Sequence, residues 1–174
     1  MILTGKEIRK EVEARNILLD PFDENSITTN SYDLTLGDVI LVYKNETLDP
    51  RIPNEYEEII LPKEGLILAK GSFCLGSSGE RVGSDFYVPI IHAKSGIARL
   101  GLFVHVTADL IDIGSHGVVT FQLYATLPVK VYPGMKIAQV SFWQPKGEIA
   151  LYQGKYQNSS GPKISLSHLD KGNP

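Results

Sequence analysis

The chain has 174 residues and a mass of 19.2 kDa, the size of one ordinary domain. Its hydrophobic content of 43% is enough for a real core and excludes global disorder. Lys and Arg number 17 against 20 Asp and Glu, a formal charge of -3, so the basic excess of a duplex-DNA binder is missing and no nucleic-acid partner is expected.

The single cysteine, Cys74, rules out an internal disulfide and a multi-cysteine zinc site. A zinc-dependent base deaminase, which needs a C-x-x-C pair, is excluded with it. No run of about 18 apolar residues marks a membrane helix. The opening Met1-Ile2-Leu3-Thr4-Gly5-Lys6-Glu7 does not read as a secretory leader. A soluble, cytoplasmic protein without a membrane partner is expected.

In chain order, Thr4 followed by Glu7 has the spacing of a capping box, and Ile8 and Val12 share one face. These predict a short amphipathic helix over 4–15. The rest reads as short strands and turns, with 16 Gly and 10 Pro as punctuation. Strands are predicted over 31–37, 39–43, 57–61, 65–69, 72–76, 86–91, 101–106, 118–124 and 137–143. The pattern is that of an all-β sandwich, jelly roll or distorted barrel. Residues 1–151 form a single β domain on this reading. Residues 152–174 form a polar, small and basic tail, either a disordered terminus or a lid that orders over an anionic ligand.

Candidate chemistry gathers between His92 and Phe142. Lys94, Ser95 and Arg99 lie among small residues, including Gly96. Backbone N–H groups, a hydroxyl and cations at that density suit phosphate oxygens. A strand-to-helix connection with a solvent-facing Arg fits the same spacing. Asp112 stands between apolar Leu110-Ile111 and the turn residues Gly114-Ser115. A carboxylate there suits a water activator or ribose ligand, or one that ties turn amides. His105 and His116 are acid–base candidates, though lone histidines in strands and turns are commonly structural. Alternation places Thr120, Gln122 and Tyr124 on one side of a strand and Val119, Phe121 and Leu123 on the other. Gln122 can read an amide-like base edge, but its amide is no general acid or base.

Together these segments resemble the dCTP deaminase/dUTPase superfamily over nearly the whole chain. The carriers are Ser31-Tyr32-Asp33-Leu34, Lys94-Ser95-Gly96-Ile97-Ala98-Arg99-Leu100-Gly101, the stretch Ala108 to Gly117 with Ile111-Asp112, and Pro133-Gly134-Met135-Lys136-Ile137-Ala138-Gln139. Length, N-terminal helix and the Lys155-Tyr156 tail are more similar to the dCTP deaminase branch, whose archaeal-type dUTPase subgroup is the expected home. The resemblance implies a distorted β-barrel or jelly roll of the dUTPase-like type, with a short N-terminal helix. It implies a homotrimer with active sites between subunits, a deoxynucleoside triphosphate substrate, and Mg²⁺ bound mainly through the substrate phosphates, with no protein metal ligand.

The resemblance also assigns residues. Asp112, Arg99 and Gln122 become the catalytic set. Lys94, Ser95, Gly96, Arg99, Thr107, Ala108, Asp112, Gln122, Gln139, Lys155 and Tyr156 become the substrate-binding set. In the deaminases a glutamate that moves protons stands where this chain has Gln122. An amide there implies impaired deamination, whereas hydrolysis of dUTP to dUMP and diphosphate does not need that carboxyl. The expectation is therefore a dUTP diphosphatase. The alternatives are a dCTP deaminase, weak or carrying an engineered Glu→Gln change, and a catalytically silent nucleotide-binding module.

Overall fold

In the computed structural model, which describes residues 1–170, the named strands all pair antiparallel. Helix α1 (Gly5–Glu13) leads into β1 (Leu18–Asp20), β2 (Tyr32–Thr35), β3 (Val39–Tyr43), β4 (Tyr56–Ile60) and β5 (Leu66–Leu68). The long β6 (Phe73–Gly83) and β7 (Val88–Ala93) precede a one-turn helix α2 (Ser95–Ala98). Strands β8 (Leu102–Phe103), β9 (His116–Ala125), β10 (Val129–Val131) and β11 (Lys136–Trp143) follow. The largest sheet has the order β4-β3-β6-β9-β8, with β1 also on β6; β2-β11-β7 and β10-β5 form two smaller sheets. The molecule is mainly β with one short helix of more than a turn, as expected.

The core follows from alternation. Tyr32 and Leu34 on β2, Phe121 and Leu123 on β9, and Val140 and Phe142 on β11 are all fully buried. Each such side chain contributes about 1.5–3 kcal/mol relative to exposure. Their strand neighbours Thr120, Gln122 and Tyr124 point the other way, so burying one face of β9 presents the other to a cavity.

Several expectations are corrected. The capping box does not form: Thr4 makes no side-chain cap, and Glu7 accepts instead from Lys10 Nζ at 2.9 Å. Backbone bonds set the helix entry, from Leu3 N to Phe142 O and from Gly5 N to Thr29 O. A Cβ at Gly5 would sit 1.9 Å from Thr28 O, so glycine is required there. The strand expected over 101–106 shortens to Leu102–Phe103, because the chain beyond it leaves as the loop that walls the cavity. β1 and β10 were not predicted, being three residues each and stabilised by partners distant in sequence.

The strand expected over 72–76 instead continues to Gly83. Its Ser77-Ser78-Gly79-Glu80 stretch reads locally as a turn but is a bulge in the β6–β9 ladder. Small residues are needed where β2 crosses it: a Cβ at Gly79 would meet Thr35 Oγ1 at 2.5 Å. Glu80 is 5% exposed and accepts from Thr35 N and Thr35 Oγ1, both at 2.9 Å. Burial pushes its carboxyl above the ordinary range, partly offset by the Thr35 bonds. The folded state therefore keeps this proton to higher pH than the unfolded chain does. The stability it contributes is fully present below the unfolded pKa and is lost as pH rises through the folded one. Glu80→Gln should remove this slope. Thermal melts of both proteins from about pH 4 to about pH 8 test it, and parallel curves would refute it.

Candidate active site

A cavity of about 880 Å³ opens beside the exposed face of β9. That volume suits a small-molecule ligand. Its walls are mostly apolar, with Phe73, Leu75 and Val82 from β6, Tyr43 from β3, and Val106, Leu110 and Ile111 from the loop before β9. Thr107, Asp112, Ser115, His116, Thr120 and Gln122 supply polar groups from the loop and from β9.

The loop is held from both sides. Ile91 N donates to Asp109 O at 2.9 Å and Ile111 N to Pro89 O at 3.0 Å, tying it to β7. Gln122 Oε1 accepts from Val106 N at 3.2 Å and Thr107 N at 3.4 Å, tying it to β9. Two amide donors identify that atom as the oxygen and leave the Gln122 NH₂ free to donate. Asp112 accepts from Ser115 N through its backbone carbonyl, at 3.0 Å. Its exposed carboxylate has no hydrogen-bond partner among the described residues, so it is not spent on the turn amides.

The tail lies over this cavity. Tyr152 N donates to Ile113 O, Asn158 N to His116 O and Val118 N to Ser159 O, at 2.7–2.9 Å. Gln157 adds two bonds of 2.8 Å, accepting from His116 N and donating to Gly114 O. Gly117 permits this approach: its φ is +147°, and a Cβ there would lie 2.7 Å from Ser159 N. Tyr152, Tyr156, Ser159, Lys163, Ile164 and Ser165 thereby line the cavity. Residues 171–174 of the expected tail lie outside the described residues.

The structure separates the expected site residues. Thr107, Ala108, Asp112, Gln122 and Tyr156 meet at the cavity. Ser95, Gly96 and Arg99 do not line it; they stand exposed on and just after α2, where Arg99 Nη1 donates to Ser95 O at 2.9 Å. Lys94 pairs with the buried Asp33, whose Oδ1 has no partner. Gln139 lines a separate recess of about 340 Å³ and accepts from Ser31 Oγ at 3.1 Å. Lys155 pairs with Asp170 and lies 5.6 Å from the Tyr156 ring centre.

Sequence reasoning missed Tyr43 and Phe73, and it offered the tail as a lid without singling out Lys163–Ser165. These come from strands and a tail whose convergence no local pattern announces. Of the two candidate histidines, His116 lines the cavity and His105 does not. His116 Nε2 pairs with Asp85 Oδ1 at 2.8 Å, and burial holds the half-buried His105 imidazole below its ordinary pKa. Burial likewise pushes the Cys74 thiol up to about 11, so it is no ready nucleophile. Among the described residues no three His, Cys, Asp or Glu side chains converge on a metal position, and no helix is long and apolar enough to cross a membrane.

Fold and cavity together define a mainly antiparallel β protein with a ligand-sized cavity under its C-terminal tail. A family model described as dCTP deaminase-like matches residues 2–145. A Clostridium botulinum (strain Eklund 17B) protein named "dCTP deaminase, dUMP-forming" is 47% identical over 98% of both chains. A Rhodopirellula baltica protein named "dCTP deaminase" is 38% identical, over 99% of this chain and 87% of its own. The chain belongs to the dCTP deaminase-like family. The crystal structure of 2'-deoxycytidine 5'-triphosphate deaminase from Agrobacterium tumefaciens shares the fold, with a TM-score of 0.65 at 21% identity. The match covers 81% of this chain, which spans about half (47%) of that one. The most similar of these relatives carries the name of a dUMP-forming deaminase rather than of a dUTP diphosphatase, so the expectation of dUTP hydrolysis alone is narrower than the family evidence.

Proposed function

We propose that this protein forms dUMP from pyrimidine deoxynucleoside triphosphates. dCTP and water give dUTP and ammonia, and dUTP and a second water give dUMP and diphosphate. The observation that carries this reading is the full-length likeness to a relative named for that conversion. In it, the pyrimidine and deoxyribose occupy the cavity between Gln122, the Thr107-Ala108 backbone and the tail. Asp112, with its uncommitted carboxylate, orients the attacking water and contacts the sugar. Ser95, Gly96 and Arg99, with Lys94, hold phosphate oxygens, and Lys155 and Tyr156 close the site.

The exposed Ser95–Arg99 turn does not line its own chain's cavity, which supports a site completed by a second copy in a homotrimer. Mg²⁺ held through the substrate phosphates would supply charge neutralisation there.

A second reading, hydrolysis of dUTP alone, is favoured by one observation. Gln122 occupies the catalytic face of β9 with an amide, which cannot carry protons for deamination. A product assay decides between them. The protein is incubated with Mg²⁺ and either dCTP or dUTP, nucleotides are resolved by anion exchange, and ammonia is measured. Rapid dUMP and diphosphate from dUTP, with slow dUMP and ammonia from dCTP, is the expected result. Untouched dCTP beside consumed dUTP would replace it with the second reading. Nucleotide bound but unconverted in both tubes would leave a silent binding module.

A further inference from the structure

The tail contacts the body in two different ways. From Tyr152 to Ser159 it is tied by backbone hydrogen bonds and a parallel bridge between Gly117 and Ser159. From Ser160 to Leu166 no backbone–backbone bond joins it to the strands among the described residues. Two body side chains hold that return segment instead. Thr120 Oγ1 accepts from Lys163 N at 3.1 Å, and the Tyr43 hydroxyl accepts from Ser165 N at 2.9 Å.

Between the two regimes lies Ser160-Gly161-Pro162, with open space around Gly161. Tyr156 gives the return segment a contact of its own, its hydroxyl accepting from Leu166 N at 2.9 Å. Among the described residues, the printed hydrogen bonds of this short flap to the strands run to two hydroxyl groups. Its residues Lys163, Ile164 and Ser165 form a cavity wall that also contains Tyr43.

We propose that Tyr43 is a positioning residue: its hydroxyl latches the Lys163–Ser165 flap over the nucleotide cavity, with Thr120 as the second latch. The latch sets how often the cavity is open and therefore how tightly substrate is retained. Tyr43 takes no part in the bond-making steps. The kinetic side of this proposal rests on the proposed dUMP-forming activity; the latch itself does not.

The test is Tyr43→Phe, which keeps the ring and removes the hydroxyl. Losing one hydrogen bond of ordinary strength shifts a closed–open equilibrium by about fivefold. Limited trypsin digestion of the intact protein should then cleave after Lys163 about fivefold faster, since cleavage tracks the open population. Cleavage after Lys146, outside the flap, should be unchanged. KM for dUTP should rise about fivefold while kcat stays within about twofold, the pattern of lost retention without lost chemistry. Thr120→Val should accelerate the same cleavage. Unchanged cleavage after Lys163 in both variants would overturn the latch, as would a fall in kcat with KM unmoved. If the wild-type protein converts neither nucleotide, the functional reading fails, and the trypsin comparison still decides the latch.

Discussion

Asp112→Asn should lower turnover of dUTP by about 10²-fold or more while leaving nucleotide affinity within a few fold. The substitution is nearly isosteric. The loop around it is held by other groups: Ile111 N on Pro89 O, Gly114 N on Ser84 O, and Ser115 N on the Asp112 backbone carbonyl. Since the Asp112 carboxylate takes no hydrogen bond among the described residues, its loss leaves no broken structural contact. What is removed is a negative charge and proton acceptor at the cavity, the attributes a water-orienting group needs. Steady-state kinetics, with calorimetric binding of a non-hydrolysable dUTP analogue, measure the two quantities separately. Turnover within about threefold of wild type would remove Asp112 from the water-positioning role.

Gln122→Glu should raise dCTP deamination by about 10²-fold or more, the low end of what a positioned proton carrier contributes. The geometry is prepared for it. Val106 N and Thr107 N already converge on the side-chain oxygen, and a carboxylate accepts the same two bonds with one oxygen. Its other oxygen replaces the amide NH₂ and brings a group that can both take and give a proton. The apolar walls of Leu75, Val106 and Tyr124 disfavour the charged form of such a carboxyl, while the Val106 and Thr107 N–H donors favour it. Hydrolysis of dUTP should change little. Ammonia release from dCTP, compared between the two proteins, reports the effect. Equal rates would mean that position 122 is not where protons are exchanged.

The elements that were legible in the sequence carried their own signal. β3 lies over the predicted residues 39–43, and the predicted alternation of β9 matches the burial of Phe121 and Leu123 opposite Gln122. The strand-to-helix connection with a solvent-facing Arg forms at Ser95–Arg99, with Arg99 Nη1 donating to the Ser95 carbonyl. The illegible elements were those whose stability comes from partners far along the chain. β1 exists because β6 offers its edge at Val82 and Gly83, and β10 because β5 does at 66–68. The Thr4 cap failed for the same reason in reverse: nearby Lys10 captured Glu7, and distant Phe142 and Thr29 supplied the helix entry.

The candidate site divides along the same line. Residue chemistry alone determined which groups this protein has to work with: one cysteine, a carboxylate before a turn, an amide in place of a carboxylate, a small-residue turn with cations, and a β-rich fold to hold them. Those are properties of side chains and of local spacing, and folding does not alter them. Only the tertiary structure decided which of these groups share a cavity. It brought Thr107, Ala108, Asp112, Gln122 and Tyr156 together, committed Lys94 to Asp33, and left Ser95, Gly96 and Arg99 facing outward. It also added Tyr43 and the Lys163–Ser165 flap, separated by 122 residues at the Ser165–Tyr43 bond. The cause is the antiparallel pairing of distant segments, which buries one face of each strand and so selects which side chains meet on the other.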